Sequence, residues 1–538
     1  MIQEIKNLIK QTASAEIEVE VSASDKPEFG HYSTNAAFKL APIVKKTPFE
    51  IAKDLSQKLK DESQKFSRVE AVQPGFINFW IAPEALQDVV KDILKKKNRY
   101  GKSKVESRKS KVNLEYVSAN PTGPLTMANG RGGFYGNALA NVLEKAGYKV
   151  TREYYVNDAG NQVMLLGLSI LNKTAPEKVK EILAKHPMAD KAVLYMGSYV
   201  DTLANLLGAG RLREEDPLKL GQRAARQLLR DIKGSLKKAG IRHDKWFSED
   251  ANLHKKGELK KVLEFLKKKG AVEEKDNATW LGEGVLVKSD GMPTYFLADL
   301  AYHYDKLIKR KFDLAIDIWG ADHHGYAQRM KKGVEALGLP GDRLKILITQ
   351  LVRLVSGGKE VRMSKRKGEF ITMDDLLEEV GADAARFFFL MHSLDTHMDF
   401  DMDLAKEKSN KNPVFYAQYA LVRCSNILLK SKVPGRAGKS LNSKVNLGLL
   451  TSDSETRLML ELMKFPDLIA QTAEDYQVHH LTKYAGDVAR ALHNFYEKER
   501  VVGVDRNLEQ SRLALVSAVK ITLENLFDIL GISKPKKM

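Results

Sequence analysis

The chain has 538 residues, which suggests three or more domains of ordinary size, and its single cysteine, Cys424, excludes an internal disulfide and fits a reducing cytoplasm. No apolar run approaches the roughly 20 residues that span a bilayer, and the first residues lack the apolar core of a secretion signal, so we expect neither membrane insertion nor export. A net charge of +18, from 87 lysines and arginines against 69 aspartates and glutamates, favours nucleic acid as a partner, although a lysine-rich surface without such a partner gives the same count.

The first part of the chain, residues 1–100, is predicted to form a small α+β domain. The stretch IAKDLSQKLKDE has the apolar spacing of a helix, and GFINFWI alternates like a half-buried strand. Residues 101–111 then belong to a stretch that is dense in positive charge and almost without apolar side chains. We interpret them as a solvated linker, with a phosphate contact as the alternative.

From residue 112 the pattern changes to alternating strands and helices. VNLEYV, a helix from about Gly132 to Lys145 and YKVTREYYV form a βαβ unit, and strands resume at GVLVKS, DLAIDIWG and LKILITQLV. Between them, residues of about 163–275 are mostly amphipathic helix, which we interpret as an insertion. Residues 112–402 are therefore predicted to form a Rossmann-like domain with a parallel sheet, and residues 403–538 a helical bundle.

Two loops in this domain have the composition of anion-binding segments. SANPTGPLTMANGRGG, from Ser118 to Gly133, lies between a predicted strand and a predicted helix, where glycines allow close approach and helix N–H groups face a negative charge. A purely structural turn is the alternative. GGKEVRMSKRKGEF, from Gly357 to Phe370, is flanked by glycines and strongly basic, as a phosphate-closing loop or a solvated charge run would be.

RMSKR resembles the KMSKS signature of class I aminoacyl-tRNA synthetases, and the earlier loop stands in the place of their HIGH signature. The ordered motifs EYVSANPTGPL, YYVNDAGNQ, DGMPTYFLADLAYH, WGADHHGY, RMSKRKGEF and GADAARFFFLM resemble the bacterial arginyl-tRNA synthetases. FGHYSTNAA with PGFINFW resembles the additional N-terminal domain of that family, and NPVFYAQYALVR onward its anticodon-binding domain. The resemblance covers nearly the whole chain. It implies a monomeric ligase that joins L-arginine to tRNA(Arg), uses ATP with Mg²⁺ as substrate, and needs bound tRNA to activate arginine.

The nucleotide-site residues that the resemblance implies depart from the family pattern at the HIGH signature. Thr126 and Asn129 stand where the family has histidines; both can hydrogen-bond, but neither can carry imidazolium charge. Arg362 replaces the first lysine of KMSKS, and Lys365 stands at the second. These four form the predicted catalytic set. The implied ATP-binding residues are Pro124, Gly130, Gly320, Asp322, His323, Met363 and Ser364.

A cationic guanidinium calls for carboxylates in its pocket. Tyr295 and Asp299 are four residues apart on a predicted helix, so they share one face, and they match the arginine-binding pair of the family. The other positions implied to contact arginine are Glu115, Ser118, Asn120 and Asp322. The adjacent histidines His323 and His324 point in different directions without a suitably spaced third ligand, so we expect no bound structural metal.

In the helical domain, Tyr419 and Tyr496 match family positions that contact anticodon-loop bases, and Met538 matches the terminal methionine of the family. Without the resemblance, the core is the better explanation for these tyrosines, because most tyrosines on helices are core residues. Two alternatives to the arginine ligase remain. A class I synthetase for a neutral amino acid conflicts with the acidic pocket, whereas a catalytically weakened tRNA-binding paralogue would account for the two missing histidines.

Overall fold

The computed structural model describes residues 1–13, 17–24, 26–102, 110–185, 194–208, 216–361, 371–431 and 445–538. Two compact units make up the chain. Residues 1–104 and 409–538 form the first unit together, and residues 105–408 form the second. Across the described ranges, no helix is both long enough and apolar enough to cross a membrane. The domain boundaries drawn from the sequence remain predictions.

The N-terminal part of the first unit is an α+β layer. It contains α1 (Ile2–Ala13), β1 (Val21–Ala23), β2 (Tyr32–Thr34), α2 (Ala36–Val44), α3 (Pro48–Glu62), β3 (Phe66–Val72), β4 (Phe76–Ile81) and α4 (Pro83–Lys96). Its four strands are antiparallel in the order β1-β2-β4-β3. The α3 helix begins where Thr47 and Glu50 cap each other, and it buries one face made of Ile51, Leu55 and Leu59. The predictions of a helix at IAKDLSQKLKDE and a strand at GFINFWI are confirmed.

The second unit is built on a parallel sheet. Its first half contains β5 (Lys111–Glu115), α5 (Met127–Ala146), β6 (Lys149–Val156), α6 (Asn161–Leu171), α7 (Pro176–Lys185), α8 (Ser198–Leu206), α9 (Pro217–Lys238), β7 (Lys245–Ser248), α10 (Glu258–Lys268), β8 (Glu273–Lys275), β9 (Ala278–Leu281) and β10 (Gly284–Val287). Its second half contains α11 (Tyr295–Tyr304), β11 (Leu314–Gly320), α12 (His324–Ala336), β12 (Leu344–Thr349), β13 (Val352–Ser356), β14 (Lys359–Glu360), α13 (Met373–Val380), α14 (Ala382–Leu390), β15 (Met398–Asp401) and α15 (Met402–Lys406). Five strands pair in parallel in the order β12-β11-β5-β6-β7, which confirms the predicted class of fold.

Two details of this sheet correct the sequence interpretation. Strand β7, KWFS, lies inside the range predicted as a helical insertion, yet it extends the parallel sheet beside β6. The segment GVLVKS is not part of that sheet, because β10 forms a separate antiparallel sheet with β9 and β8. Both strands have four residues, which is too short for periodicity to identify the partner strand. A turn signal for the second sheet is present at Asp276 and Asn277, whose φ angles of 54° and 57° suit a tight hairpin between β8 and β9.

Helix α5 begins at Met127, about five residues before the predicted start. The run NGRGG has low helix propensity, so the sequence pattern did not indicate the first turn of α5. Tertiary packing overrides that propensity, because the glycines allow α5 to lie close to the sheet. A Cβ at Gly136 would meet the Tyr116 ring at 2.4 Å. The absence of a side chain at Gly136 is therefore a packing requirement of α5.

The C-terminal part of the first unit is helical, as predicted. It contains α16 (Pro413–Lys430), α17 (Asp453–Asp475), α18 (His479–Lys498) and α19 (Arg506–Leu530). Cys424 is buried in α16, where burial raises the pKa of its thiol to about 12 and keeps it protonated. Within the same unit, the Tyr100 hydroxyl donates to the carbonyl of Leu462 at 2.8 Å.

Helices α6 and α9 make an unusually close contact that depends on two glycines. A Cβ built on Gly167 would lie 1.8 Å from the carbonyl oxygen of Pro217, and one built on Gly221 would lie 1.9 Å from that of Val163. Both obstacles are backbone atoms, which cannot rotate away. The two helices must therefore separate if either glycine gains a side chain.

We expect Gly167→Ala to lower the free energy of unfolding by about 1 to 3 kcal/mol, the usual cost of overpacking. Gly234→Ala is the matched control on α9, because Gly234 is exposed and a Cβ there would meet no atom within 4 Å. That substitution should stabilise the protein by roughly 0.5 to 1 kcal/mol, since alanine favours helix more than glycine does. Urea unfolding followed by circular dichroism measures both. Equal effects of the two variants would contradict the close contact.

Candidate active site

Three buried carboxylates lie side by side on the central strands, at the level where β5 ends. Glu115 on β5 is in register with Asp317 on β11 and with Glu153 on β6, so all three side chains leave the sheet on one face. Glu115 is 5% exposed, and the other two have no exposed surface. Ligands of parallel α/β sheets bind at this edge, so we place the candidate site here.

Three basic groups from α11 and the turn that follows it face these carboxylates. Lys306 Nζ donates to Glu115 Oε2 at 2.6 Å and to Asp317 Oδ1 at 2.8 Å. His303 Nε2 lies 2.8 Å from Asp317 Oδ2, and Arg310 donates to Glu153 at 2.7 Å. Burial alone would raise the pKa of Asp317, but the nearby Lys306 and His303 lower it to about 2. For Glu115 burial dominates, and its pKa is raised despite Lys306.

The predicted arginine-binding pair lies at the start of α11. The carboxylate of Asp299 accepts a hydrogen bond of 2.6 Å from the hydroxyl of Tyr326 on α12. Burial raises the pKa of Asp299, and the Tyr326 hydrogen bond only partly opposes this. Tyr295, one turn earlier, is 64% exposed. An incompletely neutralised carboxylate beside an exposed aromatic ring suits a cationic ligand.

The sequence analysis did not identify two residues of the acidic pocket, Glu249 and Tyr155. Glu249 follows β7 and is 6% exposed, and its negative charge contributes to the raised pKa values of Asp299 and Tyr295. The hydroxyl of Tyr155, at the end of β6, hydrogen-bonds Glu249, and burial holds its pKa well above the ordinary value. The sequence analysis did not identify Glu249 because it placed β7 outside the parallel sheet. In the structure β7 pairs with β6, and the carboxyl edge of the sheet brings Glu249 and Tyr155 to the site.

The loop after β5 contains two more of the predicted arginine-contacting residues, Ser118 and Asn120. Val117 and Ser118 have φ angles of 69° and 37°, a left-handed conformation that is costly for residues other than glycine and is often found at functional sites. The Ser118 hydroxyl accepts the backbone N–H of Tyr155 at 3.0 Å. The Asn120 amide donates to Gln162 at the start of α6, at 2.6 Å. Ser118 is thus tied to β6, whereas Asn120 stays exposed at the mouth of the site.

Thr126 and Asn129 form the N-terminal cap of α5. The Asn129 side-chain oxygen accepts the backbone N–H and the hydroxyl of Thr126, each at 2.9 Å, and the Thr126 hydroxyl accepts the backbone N–H of Asn129. Their local role in the structure is therefore to start α5. Pro124, two residues before this cap, is half-buried.

The chain returns to this cap directly after the basic loop. The Met127 N–H donates to the Ile371 carbonyl at 3.2 Å, and the Met373 N–H donates to the Leu125 carbonyl at 2.9 Å. Gly130 makes room for the return, since a Cβ there would lie 3.4 Å from the Met373 side chain. Residues 371–373, where the described chain resumes after the basic loop, are thereby hydrogen-bonded to the start of α5. Four predicted residues of the RMSKR motif, Arg362, Met363, Ser364 and Lys365, lie outside the described residues.

The motif WGADHHGY runs from the end of β11 into α12. Asp322 has a 79% exposed side chain and pairs with the neighbouring His323 at 3.0 Å, outside the buried charge network. At Gly320 a Cβ would lie 2.6 Å from Asp322 Oδ1. Trp319 stacks on Tyr326 with ring centroids 5.8 Å apart, which links this motif to the Asp299 partner. Among the described residues, no group of three or more His, Cys, Asp or Glu side chains is placed to hold a metal ion.

In the first unit, the predicted tRNA-binding tyrosines share one cluster. The Arg423 guanidinium on α16 lies 5.2 Å from the Tyr419 ring and 4.5 Å from the Tyr496 ring of α18. Tyr496 is 39% exposed, so its ring is not a core side chain. His493 meets the Tyr419 ring edge-on at 5.8 Å. Met538 is 47% exposed. The sequence interpretation missed Arg423, which unites the two tyrosines.

A five-stranded parallel sheet with a capped helix after its central strand matches the catalytic domain of a class I aminoacyl-tRNA synthetase. Three family models match the chain: "Arginyl tRNA synthetase N terminal domain" over residues 1–81, "tRNA synthetases class I (R), catalytic domain" over 89–393 and "DALR anticodon binding domain" over 417–538. The chain belongs to the arginyl-tRNA synthetase family.

Individual relatives agree with this assignment. The arginine–tRNA ligase of Carboxydothermus hydrogenoformans is 42% identical and aligns over 98% of this chain and 95% of its own length. That of Acetivibrio thermocellus is 40% identical over the whole of both chains. The solved structure of Thermus thermophilus arginyl-tRNA synthetase matches all of both chains with a TM-score of 0.78 at 21% identity, which shows the fold.

Proposed function

We propose that this chain is an arginine–tRNA ligase, which activates L-arginine with ATP and transfers it to the 3′ terminal ribose of tRNA(Arg). The observation that carries the proposal is the acidic pocket around Asp299, which a member of this family needs for a guanidinium. Asp299 has a neutral hydroxyl partner in Tyr326 and a pKa raised by burial. A guanidinium would replace that unfavourable desolvation with charge-assisted hydrogen bonds.

Activation requires the arginine carboxylate to attack the α-phosphorus of ATP in line, with pyrophosphate leaving. The adenylate is then attacked by the terminal ribose hydroxyl of tRNA, and AMP leaves, so no covalent enzyme intermediate is needed. Asp299 and Tyr295 would hold the arginine side chain, and Ser118 and Asn120 would lie toward its reacting end. Positioning supplies much of the acceleration in such a reaction.

Phosphate charge is met by two features of the chain. The N-terminus of α5, capped by Thr126 and Asn129, presents backbone N–H groups and the positive end of the helix dipole. Lys365 and Arg362 of the basic loop supply positive charge for the leaving pyrophosphate. Support for their joint action comes from the backbone bonds that tie Ile371 and Met373 to the start of α5. Mg²⁺ enters with ATP as part of the substrate.

The test of the proposed function is ATP consumption with arginine, with citrulline and without an amino acid, each with and without tRNA(Arg). Citrulline has nearly the shape of arginine but no charge. We expect turnover with arginine only, and only when tRNA is present. Activity with citrulline equal to that with arginine would refute recognition by the acidic pocket, and an inactive protein would favour the tRNA-binding paralogue.

For the tRNA partner we expect Tyr496→Ala to weaken binding by about 1 to 3 kcal/mol, the cost of losing one base–aromatic contact. Arginine and ATP dependence at saturating tRNA should not change. Filter binding or fluorescence titration over a series of salt concentrations measures the effect, and wild-type affinity should fall steeply with salt because the net charge is +18. Tyr484→Phe is a control in the same helix, because Tyr484 is buried and its hydroxyl only donates to the Glu461 carbonyl. Loss of helix content in Tyr496→Ala would instead make the tyrosine a structural residue.

A further inference from the structure

Lys306 is a fully buried cation of the second unit. It lies on a short π-helical turn, Asp305–Lys309, that continues α11. Its side chain has no exposed surface, and its ammonium lies 4.0 Å from the centre of the Tyr302 ring. Lysine is almost never fully buried unless it is paired. A lysine held in this way next to the arginine pocket therefore requires a reason.

The two carboxylates that pair with Lys306 explain its burial. Glu115 and Asp317 stand opposite one another on adjacent strands, and two buried carboxylates at such a spacing cannot both ionise without a cation. The ammonium of Lys306 bonds to one oxygen of each, at 2.6 Å and 2.8 Å. It therefore offsets the repulsion between the two carboxylates and fixes the direction of the Glu115 side chain.

A second connection leads from this ion cluster to Asp299. The other oxygen of Asp317 lies 2.8 Å from His303 Nε2, and His303 Nδ1 lies 2.7 Å from the carbonyl oxygen of Asp299. Lys306, Asp317 and His303 thus connect Glu115 to the turn of α11 that bears Asp299.

We propose that Lys306 is a positioning residue for arginine recognition, which acts by fixing the orientation of Glu115. The inference rests on the proposed function, because Glu115 must be a residue that meets the substrate. Lys306 itself cannot touch a ligand, since it is fully buried, so it acts through the carboxylates. Its removal should therefore alter arginine use far more than ATP use.

The experiment compares wild type, Lys306→Met, Glu115→Gln and the double variant in steady-state arginylation at saturating tRNA. We expect Lys306→Met to raise the KM for arginine at least about tenfold, as the loss of a charged hydrogen-bonding partner in a buried site does, with the KM for ATP changed less than about twofold. In the Glu115→Gln background the same substitution should add little. Coupled effects of this kind show that one residue acts through the other.

Lys309→Met is the matched control. Lys309 lies on the same turn and pairs with Glu258, but 39% of its side chain is exposed and it is not part of the cluster. It should leave both KM values unchanged. Lys306→Arg keeps the charge and should restore much of the arginine affinity lost in Lys306→Met. An unchanged arginine KM in a folded Lys306→Met protein would overturn the inference, as would equal increases in the KM values for arginine and ATP.

Removal of the cation destabilises the fold, because it leaves two buried carboxylates without their shared partner. If circular dichroism shows that Lys306→Met is unfolded, the comparison of Glu115→Gln with the double variant tests the inference instead. Each of these two proteins has fewer unpaired buried charges than Lys306→Met. Equal arginine KM values in these two proteins support the inference, and a further increase in the double variant contradicts it. The wild type separates this test from that of the proposed function: an inactive wild type refutes the function, and only an active one with unaffected variants refutes the role of Lys306.

Discussion

Asp299→Asn should raise the KM for arginine by roughly 10- to 100-fold, because it removes a charge-assisted hydrogen bond worth about 1.5 to 3 kcal/mol. The substituted amide keeps the size of the side chain and can still accept from the Tyr326 hydroxyl, so the pocket should retain its shape. The KM for ATP should remain within about twofold of wild type. Steady-state arginylation with each substrate varied in turn measures both constants.

The same substitution should stabilise the protein without substrate. Since the folded-state pKa of Asp299 is raised above its unfolded value, ionising the carboxylate costs folding free energy at neutral pH. That cost disappears as pH falls below the ordinary aspartate value of about 3.9. We therefore expect a higher Tm for Asp299→Asn than for wild type near pH 7, and a gain that shrinks toward pH 4.

Asp290→Asn is the control for both measurements. Asp290 is an exposed carboxylate in the turn before α11, where it accepts the backbone N–H of Met292 at 2.9 Å. Its substitution should alter neither arginine use nor the pH dependence of Tm. An Asp299→Asn protein with normal arginine dependence would remove that carboxylate from the pocket, whatever its effect on stability.

Much of the fold followed from local patterns in the sequence. Long, strongly periodic segments such as α3 and α16 were predictable because the 3.6-residue spacing is repeated over several turns. The failures have physical causes. Strand β7 is four residues long, and α5 starts with glycines that local propensity assigns to a loop. In both cases contacts with the sheet, which no local pattern reports, decide the structure.

The candidate site was only partly predictable for a related reason. Tyr295 and Asp299 are neighbours on one helix, so their spacing alone places them together. Lys306, Tyr326 and Glu249 reach the same region from three other segments of the chain. A buried lysine looks in the sequence like any of the many lysines of this basic chain, and only the positions of Glu115 and Asp317 in the folded sheet give it a role.

Lys365→Ala should be the most damaging single substitution in the basic loop, with turnover reduced on the order of 100-fold or more. This magnitude follows from removing one preorganised group that stabilises developing charge. The need for Lys365 is increased by the altered first signature, since neither Thr126 nor Asn129 can supply the positive charge of a histidine. In the structure both of them are engaged in capping α5. Charge stabilisation at the phosphates then falls mainly on the basic loop.

Lys359→Ala is the matched control for Lys365→Ala. Lys359 is an exposed lysine in the same glycine-flanked segment, on β14, where it pairs with Ser356 of β13. Its loss should change turnover by less than about twofold, the expectation for an exposed charge away from the reacting groups. Asn129→Ala should fall between the two, because it removes the α5 cap but leaves the lysine. Single-turnover arginylation at saturating tRNA ranks the three variants. If Lys365→Ala were as active as Lys359→Ala, the leaving pyrophosphate would not depend on Lys365, and the charge would have to come from another group.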